Sequence, residues 1–220
     1  MSFLSADPVL NVRHYLEGRQ ESSARYSSWD HCYNYFRAAF EEGRHSTLAS
    51  SEYLQMSCLH LGFYLASWGM YRGKATLLKR SSHGLADVVS IVARTSPTVW
   101  AIDVESYGDQ SIRELLSLSQ QIRVALPGRA TDTLVSKVML GVFGNIPAFD
   151  RFFRSGLGSF TLGAASLEKV KNYFDSHKDS IANIRPETID FQGNPTGRLY
   201  TQAKVIDMVF FVEGGGLTVG

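Results

Sequence analysis

The sequence predicts an all-α protein, a compact multi-helix domain with at most one or two short strands. Apolar residues recur at three- and four-residue spacing through most of the 220 positions. Glycine, proline and Ser/Asp cap signals cut that pattern into nine or so segments. The several buried strand runs that a parallel α/β sheet needs are missing.

In chain order, Asp7-Pro8 opens a first helix, "PVLNVRHYLEG", which Gly18 stops. After a polar loop, Ser27 or Ser28 is positioned to cap "WDHCYNYFRAAFEEG". Its Trp29, Cys32, Tyr33, Phe36 and Phe40 share one face, and Gly43 ends it. A long central helix is expected over about 51–71, buried on most sides because Tyr53–Tyr71 holds no charge. Gln55, Ser57, His60, Ser67 and two glycines argue against a membrane span there.

A basic connector, "RGKATLLKRSSHG", leads to the helix "LADVVSIVAR". "TVWAIDV" (98–104) is a strand candidate or an extended stretch. "DQSIRELLSLSQQIRVAL" is a helix stopped at Pro127-Gly128. Asp132 then caps "TLVSKVMLGVF", which "GNIP" separates from a helix containing Asp150. "SLEKVKNYFDSHKDSIANI" is an amphipathic helix over 166–184, "RPETIDFQGNPTGR" a loop, and "YTQAKVIDMVFFV" a last helix or strand. One helical domain over 1–213 is expected, or two lobes about the central helix, with a mobile tail at 214–220.

With 44% hydrophobic and 20% charged residues and a net charge of +1, nothing attracts nucleic acid or membrane globally; binding needs a local patch. "MSFLSADPVL" is not a signal peptide pattern, and Cys32 and Cys58 read as buried free thiols, so a cytoplasmic location is expected. His31, His45, His60 and His83 are scattered, so no metal site is expected. P-loop, dinucleotide and nucleophile-elbow signatures are absent, and no cofactor is expected.

Two features bear on chemistry. On a helical wheel with Leu134 at zero, apolar side chains fill nearly the whole circle, and Lys137, near 300°, occupies the gap beside Gly141. Such a lysine either snorkels out along its stem or faces a polar cavity, where desolvation would make it a usable amine nucleophile. Asp150 is either a helix-start carboxylate beside Pro147 or the partner of that amine across the turn. The second feature is the connector. No acidic residue lies between Glu52 and Asp87, while Arg72, Lys74, Lys79 and Arg80 are cationic and Trp68 and Tyr71 border them. That combination suits gripping phosphate and stacking a base.

Ser136-Lys137, the apolar run, Pro147 and Asp150 together resemble one element of the helix-hairpin-helix DNA glycosylase superfamily, closest to its 8-oxoguanine-type members. The resemblance implies that Lys137 attacks the deoxyribose C1′. It implies further that Asp150 assists as base and stabilises the oxocarbenium ion. The family's hairpin places the lysine within a couple of residues; here Leu126-Pro127-Gly128 lies nine residues before Lys137. The chain as a whole also resembles a set of bacterial hypothetical proteins, a likeness that brings no activity with it.

The expected function is a DNA-acting glycosylase or lyase. Lys137 and Asp150 would carry the chemistry, Arg72, Lys74, Lys79 and Arg80 would clamp the backbone, and Trp68 or Tyr71 would sit near the base. The alternative is a non-catalytic helical subunit binding a protein, a nucleic acid or a second copy, with 166–184 at the interface.

Overall fold

Residues 3–217 of the chain are described by a computed structural model. Among them lie eleven α-helices, several 3-10 turns and one two-stranded antiparallel sheet. None of these helices is long and apolar enough to cross a membrane.

Helix α1 (Pro8–Glu17) begins as its sequence directs, with the Asp7 carboxylate accepting from the amides of Val9 and Leu10. Helix α2 (Ser27–Glu41) starts one position earlier than its serine caps imply. Ser27 and Ser28 lie inside the first turn and donate to the carbonyls of Glu21 and Arg25, so neither hydroxyl is free to cap. The expected 51–71 helix is shorter. His45–Ala49 form a separate 3-10 turn, α3 covers Leu54–Ser67, and Gly69, with φ +77°, ends it.

Nor is α3 buried on most sides. Ser57, Cys58, Leu61, Gly62, Tyr64 and Leu65 face the core, while Met56, Leu59 and Phe63 are 48, 43 and 67% exposed. The basic connector folds into two 3-10 turns before α4 (Ala86–Arg94).

The 98–104 strand candidate is instead a single helical turn, α5 (Pro97–Trp100). Pro97 presets its first turn, and burial of Trp100 rather than sheet pairing holds it. Helix α6 (Asp109–Ala125) runs as expected. The cap of α7 (Asp132–Val142) is Thr131, whose hydroxyl accepts from Leu134, so Asp132 is released to pair with Arg123 at 2.6 Å. After α8 (Arg151–Leu157), the expected 166–184 helix is two, α9 (Ala164–Ser176) and α10 (Lys178–Ile184). His177 separates them with φ −130°, outside the helical range.

The segment expected as a loop is a β-hairpin. Strand β1 (Glu187–Ile189) pairs with β2 (Pro195–Leu199), Glu187 opposite Leu199 and Ile189 opposite Pro195. The Asp190 carboxylate turns the chain by accepting from Gln192 and Asn194, and Gly193 supplies φ +90°. Helix α11 (Gln202–Glu213) closes the fold. In the expected tail, Gly214 to Leu217 pack back on α11, whereas 218–220 lie outside the described residues.

Two helices carry the interior. Helix α7 is buried from Val135 to Val142 and lies against α2, α3 and α6; α11 is buried from Ala203 to Phe211 and lies against α1 and α8. Both are apolar nearly all round, the pattern of a helix enclosed by others. Glycine permits two of the closest approaches. A Cβ on Gly141 would lie 2.3 Å from the Tyr64 ring, and one on Gly156 would lie 2.4 Å from the Phe210 carbonyl. The two chemically interesting lysines, Lys137 and Lys204, sit on these two helices.

Candidate functional site

Lys137 does not snorkel. It is 4% exposed, and its Nζ donates to Asp150 Oδ2 at 3.1 Å. The carboxylate has two roles at once. Oδ1 accepts from the amides of Phe152 and Phe153 and so caps α8, leaving Oδ2 for the amine. Cap and partner, alternatives in sequence, are both true here. Pro147 is not in the first turn of α8; it lies in the irregular stretch before it.

Local hydrogen bonds explain how the turn aims Asp150 at Lys137. Ser136 accepts from the amide of Phe149 at 2.7 Å, and Thr133 donates to the Phe149 carbonyl at 2.9 Å. Asp207 of α11 accepts from the amide of Ala148 at 2.9 Å. Gly144, with φ +66°, reverses the chain after α7. Residues 148–150 are thereby tied to one face of α7, the face that carries Lys137.

A second buried amine lies nearby, and it was not anticipated from the sequence. Lys204 of α11 is 2% exposed and donates to Asp207 Oδ2 and to the Tyr15 hydroxyl, each at 2.9 Å. Lys137 Nζ and Lys204 Nζ stand 4.9 and 5.7 Å from the centre of the Trp68 ring, so one indole borders both amines. Burial pushes the Tyr15 hydroxyl well above its usual range, and the nearby Asp207 charge adds to this, so Tyr15 stays a neutral partner. The available signal was a lysine and an aspartate three positions apart in "AKVIDMVFF", the same oddity that marks Lys137.

A third charged cluster borders these. Asp30, fully buried, accepts from Arg19 at 3.0 Å, Tyr200 at 2.9 Å and the Ile189 amide at 3.2 Å. Burial raises its carboxyl above the ordinary range and Arg19 opposes that shift. Trp29, stacked on Tyr33 and tilted against Tyr200, separates Asp30's partner Tyr200 from Lys204.

Trp68 reaches the site, but the rest of the expected clamp stays outside it. Arg72, Lys74, Lys79 and Arg80 are exposed and form no ion pair with a described residue; Tyr71 is half-buried. The indole itself is half-buried, edge-on to Tyr26 and Phe211, with the Arg25 guanidinium 5.3 Å from its centre. Three surface clefts, of 530, 240 and 400 Å³, are lined by neither lysine and by neither of their aspartates. The largest is polar and gathers Arg37, Arg185 and Arg198 around Glu41 and Asp103. No three His, Cys, Asp or Glu side chains among the described residues form a metal-ligand group.

Chemically, the site offers two desolvated amines, each on its own carboxylate, under an aromatic cover that borders an exposed basic segment. Comparison of the chain with protein-family models, curated proteins and solved structures finds no match.

Proposed function

We propose that the protein is a DNA-acting enzyme of glycosylase or lyase type, with Lys137 as nucleophile and Asp150 as acid/base. The observation that carries this reading is the 3.1 Å contact between an amine withdrawn from solvent and a carboxylate fixed at a helix start. An amine nucleophile needs a base within hydrogen-bond reach, and Asp150 Oδ2 meets that condition.

The steps balance. Lys137, having passed one proton to Asp150, attacks C1′ with the Nζ lone pair. The bond from C1′ to the base breaks, and the base departs with the electron pair and the proton that Asp150 had taken. Loss of a second amine proton and opening of the C1′–O4′ bond give a protonated imine, O4′ taking the proton and the nitrogen keeping its third. Trp68 covers the amine, so an extruded nucleotide reaches it only when the indole moves aside. Arg72, Lys74, Lys79 and Arg80, exposed on the segment just after Trp68, suit the flanking phosphates. Four such contacts limit the slope of log affinity against log salt to about −3.6.

The test is borohydride trapping on DNA containing an abasic site. The expected result is a covalent adduct that Lys137→Ala loses and Asp150→Asn forms more slowly. No adduct across abasic, oxidised and alkylated substrates, with the protein folded, would sink this reading. A non-catalytic interaction subunit would then stand, favoured by the exposed apolar face of α3.

A further inference from the structure

We infer that α3 is a homodimer seam, on which a second copy of this chain packs its own α3 antiparallel. This goes beyond the enzymatic reading and does not rest on it.

The rule on the other long helices is that an exposed large apolar side chain stands alone, as Leu10 does on α1 and Val124 on α6, among polar neighbours such as Arg113, Ser117 and Gln120. Helix α3 breaks that rule, having no charged residue from Leu54 to Ser67. Its outward residues include Met56, Leu59, Phe63 and Ala66, alternately three and four apart and within an arc of about 80°. That spacing is the a/d repeat of a helix pairing with another helix. Elsewhere, exposed Leu10 on α1, Val124 on α6, Leu199 on β2, and Leu78, Phe160 and Phe191 in connecting segments are scattered and form no such row.

Charge selects the occupant and its direction. Exposed Glu52 lies just before α3, at its positive dipole end. Beyond its other end lie only cations, Arg72 and Lys74, both exposed. Parallel pairing would place Glu52 on Glu52 and Arg72 on Arg72. Antiparallel pairing places each end on its opposite and aligns the helix dipoles favourably. The two-fold axis then seats Leu59 against Phe63 of the second copy and Met56 against Ala66, a large side chain facing a smaller one in each layer. An isologous contact needs a surface complementary to itself, and this one is. The seam presents on the order of 300 Å² per copy, below the roughly 800 Å² of a standard interface, so the dimer is weak.

Sedimentation of the whole protein from about 5 to about 300 μM tests the pairing, the upper end reaching dissociation constants in the high micromolar range. A concentration-dependent dimer is expected, weakened about 30-fold or more by Phe63→Glu, as for loss of an interface hot spot. Phe63 is exposed, so circular dichroism should show that variant folded. Glu52→Arg and Arg72→Glu should each weaken the dimer about threefold, and the double variant should restore it. Under mild oxidation, Met56→Cys and Ala66→Cys chains should cross-link when mixed and not alone. A monomer at every concentration, a dimer indifferent to Phe63→Glu, or self-cross-linking of Met56→Cys would overturn the proposal.

Discussion

At the scale of single residues, Lys137 and Asp150 show how one carboxylate serves fold and site together. Asp150 satisfies two orphan amides of α8 and one buried ammonium, so its removal leaves all three without a partner. With side-chain exposures of 5 and 16%, the pair is sheltered enough for its loss to be costly. Lys137→Ala is expected to lose about 3 kcal/mol of stability, because it leaves the sheltered Oδ2 of Asp150 without its cation. Asp150→Asn keeps the amide contacts and should cost about 1 kcal/mol less than Asp150→Ala. Urea unfolding measures all three; a Lys137→Ala cost equal to that of exposed Lys79→Ala would show that the pair adds nothing. The sequence made Lys137 and Asp150 conspicuous, since an apolar helix has one obvious gap. Which way the lysine turned was not legible, because snorkelling and internal pairing leave the same helical pattern.

At the scale of elements, α7 has its place through the absence of a side chain. Tyr64 of α3 occupies the space where a Cβ on Gly141 would lie. Gly141→Ala should therefore destabilise by about 1–3 kcal/mol through overpacking, despite its better helix propensity. Combined with Tyr64→Leu, which makes room, the double variant should cost less than the two single costs added. Strict additivity in thermal or urea unfolding would refute the close packing described. The sequence marked most helices through their caps and spacing. It missed the hairpin at 187–199, because those strands are short, hold few apolar side chains besides Ile189 and Leu199, and are interrupted by turn residues. Their stability comes from α2, where Asn34 bonds the Ile189 carbonyl and Thr188. A pairing between positions more than 150 residues apart leaves no local signature.

At the scale of the whole molecule, buried titratable groups link stability to pH. His60 of α3 is stacked on Tyr35 at 4.1 Å, and burial, with a smaller push from His31, lowers its pKa below 6.5. Below that value the unfolded chain takes up a proton that the folded one resists, so the stability His60 contributes is full above pH 6.5 and falls as the pH drops. Asp30 and Asp103, both raised by burial, act in the opposite sense, adding to the stability of the folded state as the pH falls through their raised values. Comparing urea midpoints of the native protein and His60→Phe between about pH 7.5 and 5.5 isolates the histidine, since phenylalanine keeps a ring on Tyr35. The native midpoint should fall towards acid relative to that of His60→Phe; a constant difference would rule out the linkage.

The helical class, most helix positions and the identity of one unusual amine were legible in the sequence, because periodicity, caps and charge vacancies are local properties. It takes the folded chain to show that Lys137 meets Asp150, and that Lys204 and Asp207 stand nearby, with both amines against the same indole. The folded chain alone shows that the uncharged run of α3 divides into a buried and an exposed face. Each of these depends on which helix lies against which, and that is set by long-range packing of α7 and α11, whose apolar surfaces look alike in sequence on every side.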